Sequence, residues 1–310
     1  AACHNGNVAG EDVMSVFNQF SSHPIRDTLE VHDPAETSVV ANRHVECSDC
    51  HNPHAARAGS SAVTGPLLGV RGIDINGIEL DPIIETYQLC FRCHADSPGR
   101  PPAPTPRQIE QTNTRLEFRL TNPSFHPLAG PGRNPDVPSL ISPLSPVSTI
   151  GCTDCHNSNA APSAGGAGPE GPHGSAFEPI LVRQYLTLDN TPESPSSYAL
   201  CYSCHDRNSI LADQSFSLHN KHIVEERTPC NVCHDPHGIS DIQGNSINNT
   251  HLINFDISVV FPAMGQMGGL QFTDNGRFAV SFTQNCHGRH LINLSYPGGG
   301  GPGSGGTGGG

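Results

Sequence analysis

Tyr87-Gln-Leu-Cys90-Phe-Arg-Cys93-His94 is repeated as Tyr198-Ala-Leu-Cys201-Tyr-Ser-Cys204-His205, and Cys47-Ser-Asp-Cys50-His51-Asn-Pro-His54 as Cys230-Asn-Val-Cys233-His234-Asp-Pro-His237. Cys152-Thr-Asp-Cys155-His156 is a further string of the same type. Together they use ten of the chain's 12 cysteines in five C-x-x-C pairs, each followed at once by a histidine. C-x-x-C-H is the attachment signature of c-type haem, in which two thiols form thioethers with the haem vinyl groups and the next residue's imidazole lies under the iron. Other uses of C-x-x-C leave the histidines unexplained. A zinc ribbon does not require His at that position, and five pairs give an awkward ligand count for tetrahedral centres. Thioredoxin-like motifs occur singly in a βαβ context. A disulfide framework calls only for cysteines.

Read in order, the chain is three two-site units over residues 1–80, 81–180 and 181–240. Each has a first site, a linker with a free His, a second site and a further His soon after it. Unit two runs Cys90–His94, His126, Cys152–His156, His173. Unit three runs Cys201–His205, His219 or His222, Cys230–His234, His237. Unit one carries His23, Cys47–His51 and His54, and where its own first site belongs stands Ala1-Ala2-Cys3-His4. The repeat therefore calls for a sixth haem on Cys3 and His4, held by one thioether or by a cysteine preceding Ala1. Cys286-His287 has Thr283 where a first cysteine would fall, which leaves a seventh, singly attached haem as one option and a free thiol or cysteine bridge as the others.

Histidine supply separates electron transfer from catalysis. Six proximal ligands, His4, His51, His94, His156, His205 and His234, leave twelve of the chain's 18 histidines. The repeat selects His23, His54, His126, His173, His219 and His237 as distal ligands, with His222 and His44 as nearest rivals and His32, His251 and His290 as ordinary loop residues. An iron with two strong axial ligands has no open position for substrate, so no catalytic residue is expected. No C-x-x-C-K string is present, and Met14, Met264 and Met267 are the only methionines that could replace a His. Bis-His, low-potential haem is the expectation.

Composition agrees. The chain has 310 residues, of which 35% are hydrophobic, none is Trp, 33 are Gly and 28 are Pro, too little for an ordinary core unless cofactor faces supply apolar surface. A net charge of −13, with Lys221 the single lysine, excludes nucleic acid as a partner. No run of 18 apolar residues exists, so no transmembrane segment is expected. The chain does not open on a charged n-region and apolar h-region, so an export signal would already have been removed; thioether attachment outside the cytoplasm points to an exported protein.

The expected architecture is mostly irregular and haem-dominated, with short helices around haem sites and a small C-terminal β-element. Asp12 to Ser21, with Val13, Phe17 and Phe20 at helical spacing, predicts a helix whose apolar face lies on the first haem. Residues 100–106 read as a polyproline-like connector. Residues 241–297 are haem-poor and β-rich: Ile253, Phe255, Ile257, Val259 and Phe261 alternate with mostly polar residues, and Asp274-Asn275-Gly276 marks a hairpin. Residues 298–310 form a Gly-rich tail of linker composition.

Over residues 1–240 the doubled C-x-x-C-H pattern resembles the multihaem c-type cytochromes, and is similar to the outer-surface cytochromes of metal-reducing bacteria and archaea that polymerise into extracellular nanowires. That resemblance implies haems stacked in alternating parallel and T-shaped pairs, a terminal iron taking its distal His from the next subunit, and glycosylated surface Ser/Thr. The expected partners are other copies of the chain in a head-to-tail filament, and redox partner cytochromes or extracellular acceptors. Location is extracellular or at the cell surface, alternatively periplasmic. A monomeric periplasmic or outer-membrane-associated carrier, and a multihaem oxidoreductase with one open haem, remain as alternatives.

Overall fold

A C-x-x-C-H string can close one helical turn, because residues i, i+3 and i+4 share a helix face. In the computed structural model each of the five strings does so. The structure describes residues 4–7, 10–25, 45–55, 63, 65–97, 103–262, 269–276 and 279–286, with the backbone alone at 289–296. Cys3, His32, His44, His287 and the tail beyond residue 296 lie outside the described residues, as does the side chain of His290.

In chain order the elements are α1 (Val13–Val16), β1 (Ser21–Ser22), α2 (Cys47–Cys50), β2 (Gly72–Ile73), β3 (Glu79–Leu80), α3 (Tyr87–His94) and α4 (Thr114–Glu117). There follow β4 (Ser124–Phe125), α5 (Cys152–Cys155), β5 (Gly174–Ser175), α6 (Ala199–Tyr202), α7 (Arg207–Leu211), α8 (Cys230–Cys233) and β6 (Gly238–Ile239). A C-terminal sheet comprises β7 (Val260–Phe261), β8 (Gln271–Asp274), β9 (Val280–Cys286) and β10 (Arg289–Tyr296). Most of the remaining chain is irregular.

Helices α2, α5 and α8 span the motif cysteines alone, and each ends because the following His is extended. Their last bonds run from the His N–H to the first cysteine's carbonyl: His51 to Cys47 at 2.9 Å, His156 to Cys152 at 2.7 Å and His234 to Cys230 at 2.9 Å. Asp49 and Asp154 cap the starts of α2 and α5, each accepting at 2.7 Å from the backbone N–H three residues earlier. A carboxylate there also faces the positive end of the turn.

Two miniature ladders bring distant segments together. β1 pairs antiparallel with β5, Ser21 opposite Ser175, and β4 with β6, Ser124 opposite Ile239. They are equivalent positions of the repeat: His23 follows β1 and His173 precedes β5, while His126 follows β4 and His237 precedes β6. The ladders join units that the sequence lays out in succession, so the three units interlock. Each ladder rests on a glycine. A Cβ on Gly174 would lie 2.2 Å from the Val16 carbonyl oxygen of α1, and one on Gly238 2.3 Å from the Glu117 carbonyl oxygen of α4. Gly238→Ala is expected to cost about 1–3 kcal/mol, as overpacking against backbone does. Gly10→Ala, with nothing within 4 Å, should stay within about 0.5 kcal/mol of wild type in the same thermal melts.

The largest apolar cluster joins Val232 of α8 to Ile253, Phe255, Val260, Leu270, Phe272, Val280 and Phe282. The C-terminal sheet therefore covers the last C-x-x-C-H turn. β9 pairs with β10 along one edge and with β8 and β7 along the other. Asn275 and Gly276, the latter at φ +106°, follow β8 at the turn toward β9. Buried Arg107 locks this region to the preceding unit: its guanidinium donates to the carbonyls of Asn231, Asn254 (2.8 Å) and His234 (3.2 Å), and lies 3.8 Å from the Asp235 carboxylate. Among the described residues no helix is long and apolar enough to cross a membrane.

Three local expectations change. The first helix stops at Val16, because the chain must be extended at Ser21–Ser22 to pair with β5. Phe20, expected on its apolar face, is 77% exposed, and Phe17 packs on His173 rather than at the first site. The alternating stretch from Ile253 is strand only at Val260–Phe261. Its earlier part follows α8 instead, with the Asn254 N–H on the Cys233 carbonyl and the Asp256 N–H on the Val232 carbonyl, both at 2.9 Å. Pro106, the described end of the proline-rich connector, accepts from the Ile257 N–H at 3.0 Å and so docks on the C-terminal segment.

Candidate cofactor sites

The helical turn delivers the proximal imidazole, and the loops and ladders bring a second one opposite it. Five pairs of rings result: His94 with His23 at a centroid separation of 6.3 Å, His51 with His173 at 6.1 Å, and His205 with His126 at 6.5 Å. His156 stands opposite His237 at 6.2 Å and His234 opposite His219 at 6.4 Å. Every pair joins a C-x-x-C-H histidine to one that follows no cysteine. Two imidazoles binding one metal from opposite sides, at about 2 Å per metal–nitrogen bond and ~1 Å more to each ring centre, stand about 6 Å apart.

Backbone and hydroxyl acceptors set which ring nitrogen faces inward. Nδ1 lies against the carbonyl oxygen of Pro172 in His23 (2.6 Å), Pro66 in His51 (3.1 Å), Pro179 in His156 (3.0 Å) and His251 in His234 (2.8 Å). His126 uses the Pro236 carbonyl, His205 the Ser139 hydroxyl at 3.0 Å and His219 the Ser215 hydroxyl at 3.2 Å. His237 uses a carboxylate, Glu117, at 3.0 Å. With Nδ1 engaged outward, Nε2 is free to ligate.

Burial favours the neutral form of seven of these rings. It lowers His23 and His126, and with neighbouring histidines takes His156, His173, His205 and His234 down to about 4 and His219 to about 3. Neutral imidazole is the metal-binding form. His237 departs from the pattern: burial lowers it, but the charge and hydrogen bond of Glu117 outweigh burial and raise it. Burial also pushes the thiols of Cys50, Cys155 and Cys233 up to about 12.

The sites run in sequence order. Cys50 lies beside Cys93, Cys90 is in hydrogen-bond contact with Cys152, Cys155 is near Cys204, and Cys201 contacts Cys230. All five line one continuous cavity of ≈ 3190 Å³. Shared among five sites that is ~640 Å³ apiece, within the ~300–1,000 Å³ of ordinary cofactor pockets. No family model, curated protein or solved structure matches this chain.

The ten C-x-x-C cysteines form no disulfide. Among the described residues the single cluster of three potential metal-ligand atoms within 4.8 Å is Glu117, Asp235 and His237, with no cysteine in it, so the C-x-x-C pairs do not converge as zinc centres would. Of the histidines selected from the sequence, His54 is not brought to any site: it is exposed and faces no second imidazole among the described residues. Its repeat counterpart His237 reaches back to the preceding unit's His156, and before His54 the described chain offers no such unit. His4 is likewise exposed and unpaired with another ring among the described residues. His222 sits in a π-helical turn, Lys221–Glu225, lines the cavity and bonds back to the Leu218 carbonyl. His251 bridges Asn134 (3.1 Å) and Asp274 (3.2 Å), a structural clamp. Cys286 packs beside Cys233 against the C-terminal core.

Glu117 and Arg107 were not legible as site residues. Glu117 corresponds to Val16 of the earlier unit, since both offer their carbonyl to a ladder glycine and both precede a phenylalanine, Phe118 or Phe17, that packs on a distal histidine. A two-residue difference in spacing to the following His126 and His23 hides that correspondence in the sequence.

Proposed function

We propose that the chain is a multihaem c-type cytochrome that carries electrons along a line of bis-His haems, as a subunit of an extracellular conductive filament. The observation that carries the reading is the set of five opposed imidazole pairs, each beside a C-x-x-C pair, at the 6.1–6.5 Å that two axial ligands of one iron require. Cys47, Cys50, Cys90, Cys93, Cys152, Cys155, Cys201, Cys204, Cys230 and Cys233 would hold the porphyrin edges, with Cys3 and His4 serving a sixth site. Bound haem supplies one-electron chemistry and no open position for substrate.

The chain's own residues do the rest. The outward hydrogen bonds on Nδ1 fix each ring's rotation and tautomer. Cysteines of successive motifs lie side by side, which sets neighbouring sites in order. The filament rests on the resemblance over residues 1–240 and on His4 and His222, which face no second imidazole among the described residues. A monomeric carrier accounts equally for the five pairs, and an oxidoreductase with one open haem requires His4 to stay unpartnered.

Intact mass of the purified protein is expected to show six haems. Five would remove the site at His4, seven would add one at Cys286-His287, and none would refute the reading outright. Negative-stain images should show filaments; uniform single particles would select the monomeric carrier.

A further inference from the structure

The repeat supplies an internal comparison that no single site could. The His51–His173 and His156–His237 sites are built alike: each takes its distal ring from the residue before a two-residue strand, β5 or β6. In each, a phenylalanine packs on that ring, Phe17 on His173 at 5.4 Å and Phe118 on His237 at 5.3 Å. In each, the residue before that phenylalanine presses its carbonyl against the ladder glycine. That residue is Val16 in the first site and Glu117 in the second. The His173 Nδ1 is buried without a hydrogen-bond partner. The His237 Nδ1 meets the Glu117 carboxylate at 3.0 Å, and both Glu117 and neighbouring Asp235 are buried.

We propose that Glu117 is a positioning residue that holds the haem of the His156–His237 site at a lower reduction potential than that of the otherwise equivalent His51–His173 site. The inference rests on the haem reading above. Oxidised iron carries one more positive charge than reduced iron. A carboxylate accepting from the axial imidazole makes Nε2 a stronger donor and places negative charge behind it, and both effects favour the oxidised form. In a buried site that interaction is weakly screened. The charged groups around Glu117 are His237, Asp235 and Arg107, so the one opposing charge is the guanidinium. Arg107 already serves Asp235 and three backbone carbonyls, which leaves the carboxylate to act on His237. A line of sites in sequence order then contains a low-potential step at the third of its five C-x-x-C-H motifs.

The test is a spectroelectrochemical titration of the full-length holoprotein and its variants, with haem content counted first by intact mass. Glu117→Val copies the first site, and Glu117→Gln keeps an acceptor without the charge. In Glu117→Val one component of the titration should move upward, changing that haem's reduced-to-oxidised ratio at fixed potential by about tenfold, ~59 mV for one electron. Glu117→Gln should move the same component by less, and Val16→Glu should lower a different one. A fully loaded Glu117→Val or Glu117→Gln protein whose midpoints match wild type overturns the assignment. A wild-type chain without haem overturns the cytochrome reading instead.

Discussion

In purified holoprotein, His126→Ala is expected to convert one low-spin iron per chain into a high-spin iron that binds carbon monoxide, while the haem count stays unchanged. Attachment depends on Cys201, Cys204 and the proximal His205, none of which the substitution touches. What it removes is the ring 6.5 Å from His205, together with its hydrogen bond to the Pro236 carbonyl. The backbone bond from the His126 N–H to the His237 carbonyl, 3.0 Å, survives, so β4 and β6 should stay paired and the neighbouring His156–His237 site should stay low-spin. Optical and EPR spectra of the ferric protein and carbon monoxide titration of the reduced protein read this directly. His54→Ala supplies the control, because His54 is exposed and faces no ring: its spectra should match wild type. If His126→Ala leaves every iron low-spin, the pairing with His205 is wrong. A high-spin signal after His54→Ala would bring that residue back as a ligand.

The geometry of the C-x-x-C-H strings was legible because it is local. Two thiols and an imidazole at i, i+3 and i+4 need nothing beyond one helical turn, and the strings from Cys47 to His234 announce themselves. The opposing rings were legible only as a supply. His23, His126, His173 and His237 recur at repeat positions, but which C-x-x-C-H histidine each faces depends on ladders of two residues a strand, and strands that short leave no period in the sequence. The repeat places a free His in every linker and after every second site, and nothing in that layout tells that four of the five pairs join different units. His54 shows the same limit from the other side. Its motif is that of His237, yet the partner that motif reaches for lies in the preceding unit. Glu117 and Arg107 were illegible for a third reason, since a carboxylate and a guanidinium in loop-rich sequence look like solvated surface until burial makes them expensive to leave unpaired.

The exchange between units also says where a bond between subunits would form. The linker histidine of each unit serves the first site of the next: His23 of unit one faces His94, and His126 of unit two faces His205. Of His23, His32 and His44, the candidates near the chain start for a ring donated to a neighbouring subunit, His23 faces His94 within the chain, and the other two lie outside the described residues. Carried one step further, the rule asks the linker of unit three for a ring that serves a first site beyond it. That linker holds two candidates, and His219 turns back to His234. His222 remains, half-buried at the cavity wall, with its backbone N–H on the Leu218 carbonyl at 3.1 Å. The first site in need is His4, exposed and without an opposing ring among the described residues. A head-to-tail contact that joins His222 of one subunit to the His4 haem of the next is heterologous and need not close, so it propagates a filament. His222→Ala is expected to abolish filaments in negative stain and leave one high-spin iron per chain, with the haem count unchanged by mass. His219→Ala should instead open the His234 site. Filaments that persist in His222→Ala, or wild-type particles that stay monomeric with every iron low-spin, would refute this route of assembly.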